Sequence, residues 1–399
     1  MKYVSVTSPK SDMSVPIFNY FDDYLVSLGE PATSRAWKYL QMLSHINNIL
    51  KEAPSDKNLY IDSGGFQIIV GYVTASRLKE YIDVYHLLLE EYHDRIHRIF
   101  SLDVFNMKYD LQKIYDENKY SIQKSIELIK KHPTISDKQL FVLQTSNENS
   151  FKTWQKLFLE LEVYKYYKLW SVGGLVGLKK TSKAKFSHAV PATLWLLSYQ
   201  KKFNFTIDQV HWLGQSSRLS FLSMGLFERL YNLNMTSDSS QLVRFAAIEH
   251  KLPYICKHEG EFILIETVEE AIDKMLGNHS IKDIKHTKKV GFFEIQELSS
   301  NEYYLENNQF HNTDFIEMQA QNIYYEIEFC NLICDLIIEK DINTITEEEI
   351  KDLHPIMSRG RVSKELMNNI EFFRKFEDII KTGDTQAADN IMLDVVRQY

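Results

Sequence analysis

Four short apolar runs in this chain end in a side chain that could do chemistry: Asp62 closes NLYID, Asp103 closes RIFSLD, Gln144 closes QLFVLQ and Asp238 closes LNMTSD. An ionised aspartate only accepts hydrogen bonds, a glutamine both donates and accepts, and backbone N–H groups bared by adjacent glycines donate. Together such groups can read the edge of a flat heterocycle such as a purine. Two carboxylates can instead work at the anomeric carbon of a sugar, one stabilising charge or attacking while the other moves a proton. Metal binding by three aspartates is a competing chemistry. Asp62 is followed by SGG, so two of only 14 glycines stand directly after a buried-looking run. There they either make a plain turn or let a ligand lie against the backbone.

The elements that must position these groups follow from patterning. Residues 2–7, 58–62, 98–103, 139–145, 167–174, 209–214 and 233–238 read as buried strands. Helix-length amphipathic segments, such as TASRLKEYIDVYHLLLEEYHDRI and SRLSFLSMGLFERLYN, lie between most of them. Strand alternating with helix implies parallel pairing with crossovers, hence an α/β fold. Seven such strands favour a (β/α)8 TIM-type barrel over an open sheet, with the eighth strand expected after residue 240. The expected organisation is a barrel over residues 1–265 and a mainly helical C-terminal extension over 266–399, with a candidate hairpin in YICKHEGEFILIE. Chemistry in such barrels gathers where strands end and the following loops begin. Asp62, Asp103, Gln144, Gly173, Gly174, His211, Leu213 and Asp238 should therefore face one mouth. Asp238 has an alternative as a helix N-cap, because SDSS precedes an apolar stretch, and Asp103 has one as a strand-end cap.

Composition narrows the classes. A 47.0 kDa chain with 44% hydrophobic residues has material for one large core or a core with an appended subdomain. No segment approaches the roughly 18 apolar residues of a membrane span, and the start has no apolar signal region. A cytoplasmic protein without membrane contact is expected. Cys256, Cys330 and Cys334 fit no disulfide framework, and the last two, four apart in an apolar stripe, read as core residues. His86, His93 and His97 fall on one helical face and read as surface or interhelix histidines, so no metal site is expected. A net charge of −8 argues against coating nucleic acid by bulk electrostatics but leaves room for a local basic groove. Candidate runs are GLKKTSKAK, KDIKHTKK and SRGRVSK.

Four stretches, taken in order, resemble one family. DSGGFQ at 62–67 looks like the signature of the tRNA-guanine transglycosylases, and SVGGLVG at 171–177 resembles their second glycine motif, one residue shorter. HWLGQS at 211–216 is similar to the family's YLMGVG, and SDSS at 237–240 to the FDSA segment of archaeal members. The resemblance implies that Asp238 is the nucleophile that attacks C1′ of the target nucleoside and that Asp62 is the general acid/base. It further implies that Asp103 accepts from the N1–H and exocyclic amine of the base. Gln144 and the Gly174 N–H would donate to its carbonyl, in a slot lined by Gly65 and Gly173. Phe66 and Leu213 would sandwich the ring, with Ser63 orienting the incoming base.

The chain also departs from the family. The zinc motif CxCxxC and the arginine-rich PTR segment that follow the nucleophile in tRNA-acting members are missing, so no zinc or other cofactor is expected. Both parts help grip the anticodon loop. The resemblance therefore shifts toward the DpdA-type branch, which exchanges guanine for a 7-deazaguanine such as preQ0 in DNA. The same exchange on tRNA is the alternative, and a noncatalytic subunit that keeps the fold is a third reading. Lys179, Lys180, Arg359 and Arg361 are the candidate phosphate contacts. Because a target guanine must leave the stack or be single-stranded, expected partners include a helicase or ATPase, or a second copy of the chain.

Overall fold

The computed structural model describes residues 1–6, 22–28, 39–52, 55–69, 71–104, 110–174, 188–238, 254–258, 261–265, 312–358 and 361–398. Eight parallel strands close into a barrel in sequence order: β1 (Lys2–Val6), β2 (Asp23–Ser27), β3 (Asn58–Asp62), β4 (Arg98–Phe100), β5 (Gln139–Gln144), β6 (Leu169–Gly173), β7 (Gln209–Trp212) and β8 (Met235–Asp238). The ring closes where β1 pairs with β8, Val4 opposite Asp238. The outer wall is built from α1 (Tyr39–Glu52), a short α2 (Gly65–Ile69), α3 (Leu78–Tyr92), α4 (Leu111–Lys131), α5 (Glu148–Glu160), α6 (Ala189–Phe203) and α7 (Arg218–Tyr231).

The expected fold class is the observed one, with one strand misplaced. The eighth strand does not follow residue 240; it is β2, DYLVS, inserted between the first two expected strands. Beyond β8, the described strands are the antiparallel pair β9 (Tyr254–His258) and β10 (Glu261–Ile265), which are the expected hairpin and stand outside the barrel sheet.

Side chains alternate between the two faces of a strand, and that period sorts the barrel interior. The middle is filled by Val4, Leu25, Tyr60, Phe100, Leu140, Val142 and Leu169. Two residues earlier on several strands lies a polar floor, where Asn58 Nδ2 donates to Asp23 Oδ1 at 3.1 Å and Arg98 Nε donates to Gln209 Oε1 at 3.1 Å. Two residues later come Asp62, Gln144 and Asp238, at the C-terminal rim.

The C-terminal region is helical: α8 (Asn312–Glu339), α9 (Glu347–Asp352), α10 (Val362–Thr382) and α11 (Thr385–Val396). Its apolar faces join the same core as the barrel helices. Cys330 and Cys334 are core residues as expected; their thiols lie against the carbonyls of Arg218 and Leu222, so α8 runs alongside α7 in the same direction. α10 does likewise, with Asn369 bonded to Ser223 and Phe373 packed on Phe227. A helix following a barrel strand starts at the C-terminal rim, so the start of α10 is directed toward that rim too. No described helix is long and apolar enough to cross a membrane.

Candidate functional site

The rim brings together groups that are far apart in sequence. Asp62 is the last residue of β3 and accepts from Ser27 Oγ, the last residue of β2, at 2.7 Å. Burial pushes its carboxyl up; bonds from Ser27 and the Gly64 N–H pull down, and the charge of Asp238 pushes up again. Asp103 lies three residues past the end of β4 rather than within it. Burial holds its carboxyl up at about 6, against a hydrogen bond from Gln144 that lowers it, with Asp62 adding to the rise. Asp62 is thus electrostatically coupled to both other aspartates.

Gln144 ends β5 and its Nε2 donates to Asp103 Oδ2. The amide is therefore already engaged by the carboxylate, with Oε1 buried and without a partner among the described residues. Ser63 Oγ and Ser146 Oγ are buried and unpartnered in the same way. Buried polar atoms are usually satisfied in folded proteins; these three, each at or just past a strand end, are among several in the described residues that are not.

The glycines are there because the carboxylate and amide crowd them. A Cβ on Gly65 would stand 2.4 Å from Asp103 Oδ1. One on Gly174, whose φ is +76°, would stand 2.6 Å from Gln144 Oε1, and one on Gly173 would meet Val142 at 2.8 Å and Gln144 Nε2 at 3.0 Å. Gly64 also takes a positive φ of 84°. Gly65 therefore makes room for Asp103, and Gly173 and Gly174 for Gln144.

Asp238 ends β8 as the last strand residue. Its Oδ1 accepts from the Gly214 N–H at 3.0 Å and lies 2.9 Å from His211 Nε2. His211 is fully buried on β7, with Phe100 packed edge-on against it at 4.8 Å between ring centres. Leu213 is half-buried and packs on the barrel interior.

Helix side chains fix the backbone of the rim. Tyr81 on α3 donates to the Ser63 carbonyl at 2.8 Å. Asn118 on α4 brackets Val104, accepting from its N–H at 2.8 Å and donating to its carbonyl at 2.7 Å, which anchors the loop carrying Asp103. Ser150 on α5 donates to the Gln144 carbonyl at 3.0 Å. Rigid elements of this kind hold site residues more closely than loops alone.

The structure brings together Asp62, Ser63, Gly65, Asp103, Gln144, Gly173, Gly174, Leu213 and Asp238. Phe66 belongs to α2, but its side chain lies outside the described residues, as do Lys179, Lys180 and Arg359. Arg361 is exposed at the start of α10. Among the three histidines of the proposed helical face, His86 is an interhelix residue bonded to Ser125 at 2.9 Å, and His93 follows α3 directly. His97 is not on the helix at all; it lies beyond it, against the ring of Tyr60. Among the described residues no group of three or more His, Cys, Asp or Glu is arranged to hold a metal ion.

Sequence reasoning missed two partners. Ser27 lay on the unrecognised strand, and His211 was placed at the mouth without a role. The signal for His211 was available in principle: it and Asp238 lie near the ends of consecutive strands of a parallel barrel. No protein-family model matches the chain, and no curated protein matches it either.

Proposed function

We propose that this chain is a nucleic-acid guanine transglycosylase that replaces a guanine in DNA with a 7-deazaguanine through a covalent aspartyl–deoxyribosyl intermediate. The observation that carries the reading is the meeting of Asp62, Asp103 and Asp238 at one rim, with Gln144 and the glycines Gly65, Gly173 and Gly174 beside them. A flat base with donors along one edge fits the carboxylate of Asp103 and the unpartnered Oε1 of Gln144, both of which accept.

The chemistry follows from the two remaining acids. A lone pair on Asp238 forms the bond to C1′ as the C1′–N9 bond breaks, and its electron pair leaves on the base. Asp62, whose carboxyl is raised by burial and by the charge of Asp238, is the acid placed to move the proton. It protonates the departing guanine, then takes a proton from the incoming base as that base displaces the aspartyl ester. Charge-neutral exchange needs no redox partner.

DNA is preferred to tRNA because the CxCxxC and PTR motifs that help grip an anticodon loop in the resembled family are missing from the sequence. The family's zinc set does not fit: CxCxxC is missing from the chain, and Cys330 and Cys334 are buried in the seam between α7 and α8. Arg361, at the end of α10 directed toward the rim, is the described candidate for a phosphate contact. The test is incorporation of radiolabelled guanine into duplex DNA, single-stranded DNA or tRNA. Label in DNA supports the reading, label in tRNA alone moves the substrate, and label in none favours a noncatalytic binding subunit.

A further inference from the structure

Below Asp238 a line of polar side chains runs down the barrel interior to its floor. Arg98 Nε donates to Gln209 Oε1 at 3.1 Å. Gln209 Nε2 donates to Thr236 Oγ1 at 2.8 Å. Thr236 Oγ1 lies 2.8 Å from His211 Nδ1, and His211 Nε2 lies 2.9 Å from Asp238 Oδ1. The arrangement is a product of the strand period. Gln209 and His211 share one face of β7, Thr236 and Asp238 share one face of β8, and the register sets His211 opposite Thr236.

Each end of this line sets a direction. A guanidinium has donors and no acceptor, and an ionised carboxylate has acceptors and no donor. Arg98 therefore requires the oxygen of Gln209, which turns the amide nitrogen toward Thr236. Thr236 accepts that bond and has a proton to give, which in the arrangement proposed goes to the facing His211 Nδ1. The imidazole then carries its proton on Nε2, pointing at Asp238. The rings of Tyr60 and Phe100 pack around the imidazole. His211 and Gly214 both donate to Oδ1; no described residue bonds to Oδ2.

We propose that Arg98, Gln209, Thr236 and His211 form a one-way hydrogen-bond chain that holds His211 as its Nε2–H tautomer, making it a positioning residue that occupies Oδ1 of Asp238 and leaves Oδ2 as the attacking oxygen. The role in attack rests on the reading of Asp238 as nucleophile; the tautomer does not. Two donors on Oδ1 fix the rotation of the carboxylate. The second oxygen has no bond from a described residue and is the one left for the sugar carbon.

The chain is tested on the full-length protein labelled with 15N-histidine, with the His211 ring signals assigned by their loss in His211→Phe. The expected spectrum near neutral pH has Nε2 protonated and Nδ1 bare. Protonation of both nitrogens, or of Nδ1 alone, overturns the proposal. Thr236→Val cuts the chain in the middle and should slow covalent trapping of a guanine-containing oligonucleotide roughly 10- to 100-fold, the effect of one charged hydrogen bond. Its KM should stay near that of the wild type, and Thr236→Ser should restore the rate. A Thr236→Val protein that traps at the wild-type rate sinks the positioning role. If the wild type itself traps nothing, the transglycosylase reading fails instead, and the ring spectrum still decides the chain.

Discussion

Asp103 shows how a single residue divides between stability and function. Its carboxyl, lifted to about 6 chiefly by burial, ionises near pH 4 in the unfolded chain. The folded state therefore favours the neutral acid: its contribution to stability is complete below about pH 4 and is lost as pH rises through about 6. Asp103→Asn should be more stable than the wild type above about pH 6, by on the order of 1–3 kcal/mol, and the gap should close in acid. Thermal unfolding across that range checks it; a variant less stable at pH 7 would contradict the burial argument. The same variant should lose base selection while polynucleotide binding falls less, read by guanine competition against oligonucleotide retention. Asp62, Asp103, Gln144 and Asp238 were legible because each closes an apolar run, and strand ends are where barrel chemistry sits. Their mutual bonds were not legible. Nothing in FVLQTS says that the glutamine amide turns to Asp103 on the neighbouring strand's loop, since that contact exists only once β4 and β5 pair.

At the scale of the element, the glycine turns separate two effects that a sequence confounds. Gly71 has a positive φ of 85° with nothing within 4 Å of an added Cβ, whereas Gly174 combines a φ of 76° with Gln144 Oε1 at 2.6 Å. Gly71→Ala should cost the backbone strain alone, about 1–2 kcal/mol. Gly174→Ala should exceed it by about 1 kcal/mol or more through overpacking, and should also weaken base binding. Denaturant unfolding of the two variants measures the difference, and equal losses would mean that the space beside Gln144 is not crowded. Strand β2 is the element that sequence missed. DYLVS is five residues long and follows TSPKSDMSVPIFNYF, which has two prolines and no amphipathic period, so the strand–helix rhythm that revealed the others was absent there. With β2 went Ser27 and its bond to Asp62.

At the scale of the whole molecule, the C-terminal helices belong to the barrel's fold and not to a loose appendage. Asp389 on α11 accepts from Trp195 Nε1 at 2.7 Å and from Tyr199 Oη at 2.9 Å, both on α6. Asp389→Ala leaves the buried indole N–H unpaired and should lower stability by about 2 kcal/mol, measured by thermal unfolding; an unchanged midpoint would show that α11 is held otherwise. The helical character of this region and its apolar stripe at Cys330 and Cys334 could be read from periodicity. Its docking direction could not, because that depends on which barrel helices offer matching grooves. That direction brings the start of α10, with Arg361, toward the rim where Asp238 stands. The account rests on Asp238 forming a bond to a sugar, and mass analysis of the protein after incubation with guanine-containing DNA tests this most directly. A deoxyribosyl–DNA adduct on the peptide carrying Asp238, lost in Asp238→Asn, is the predicted result; no adduct in the wild type, or an undiminished one in the variant, would contradict it.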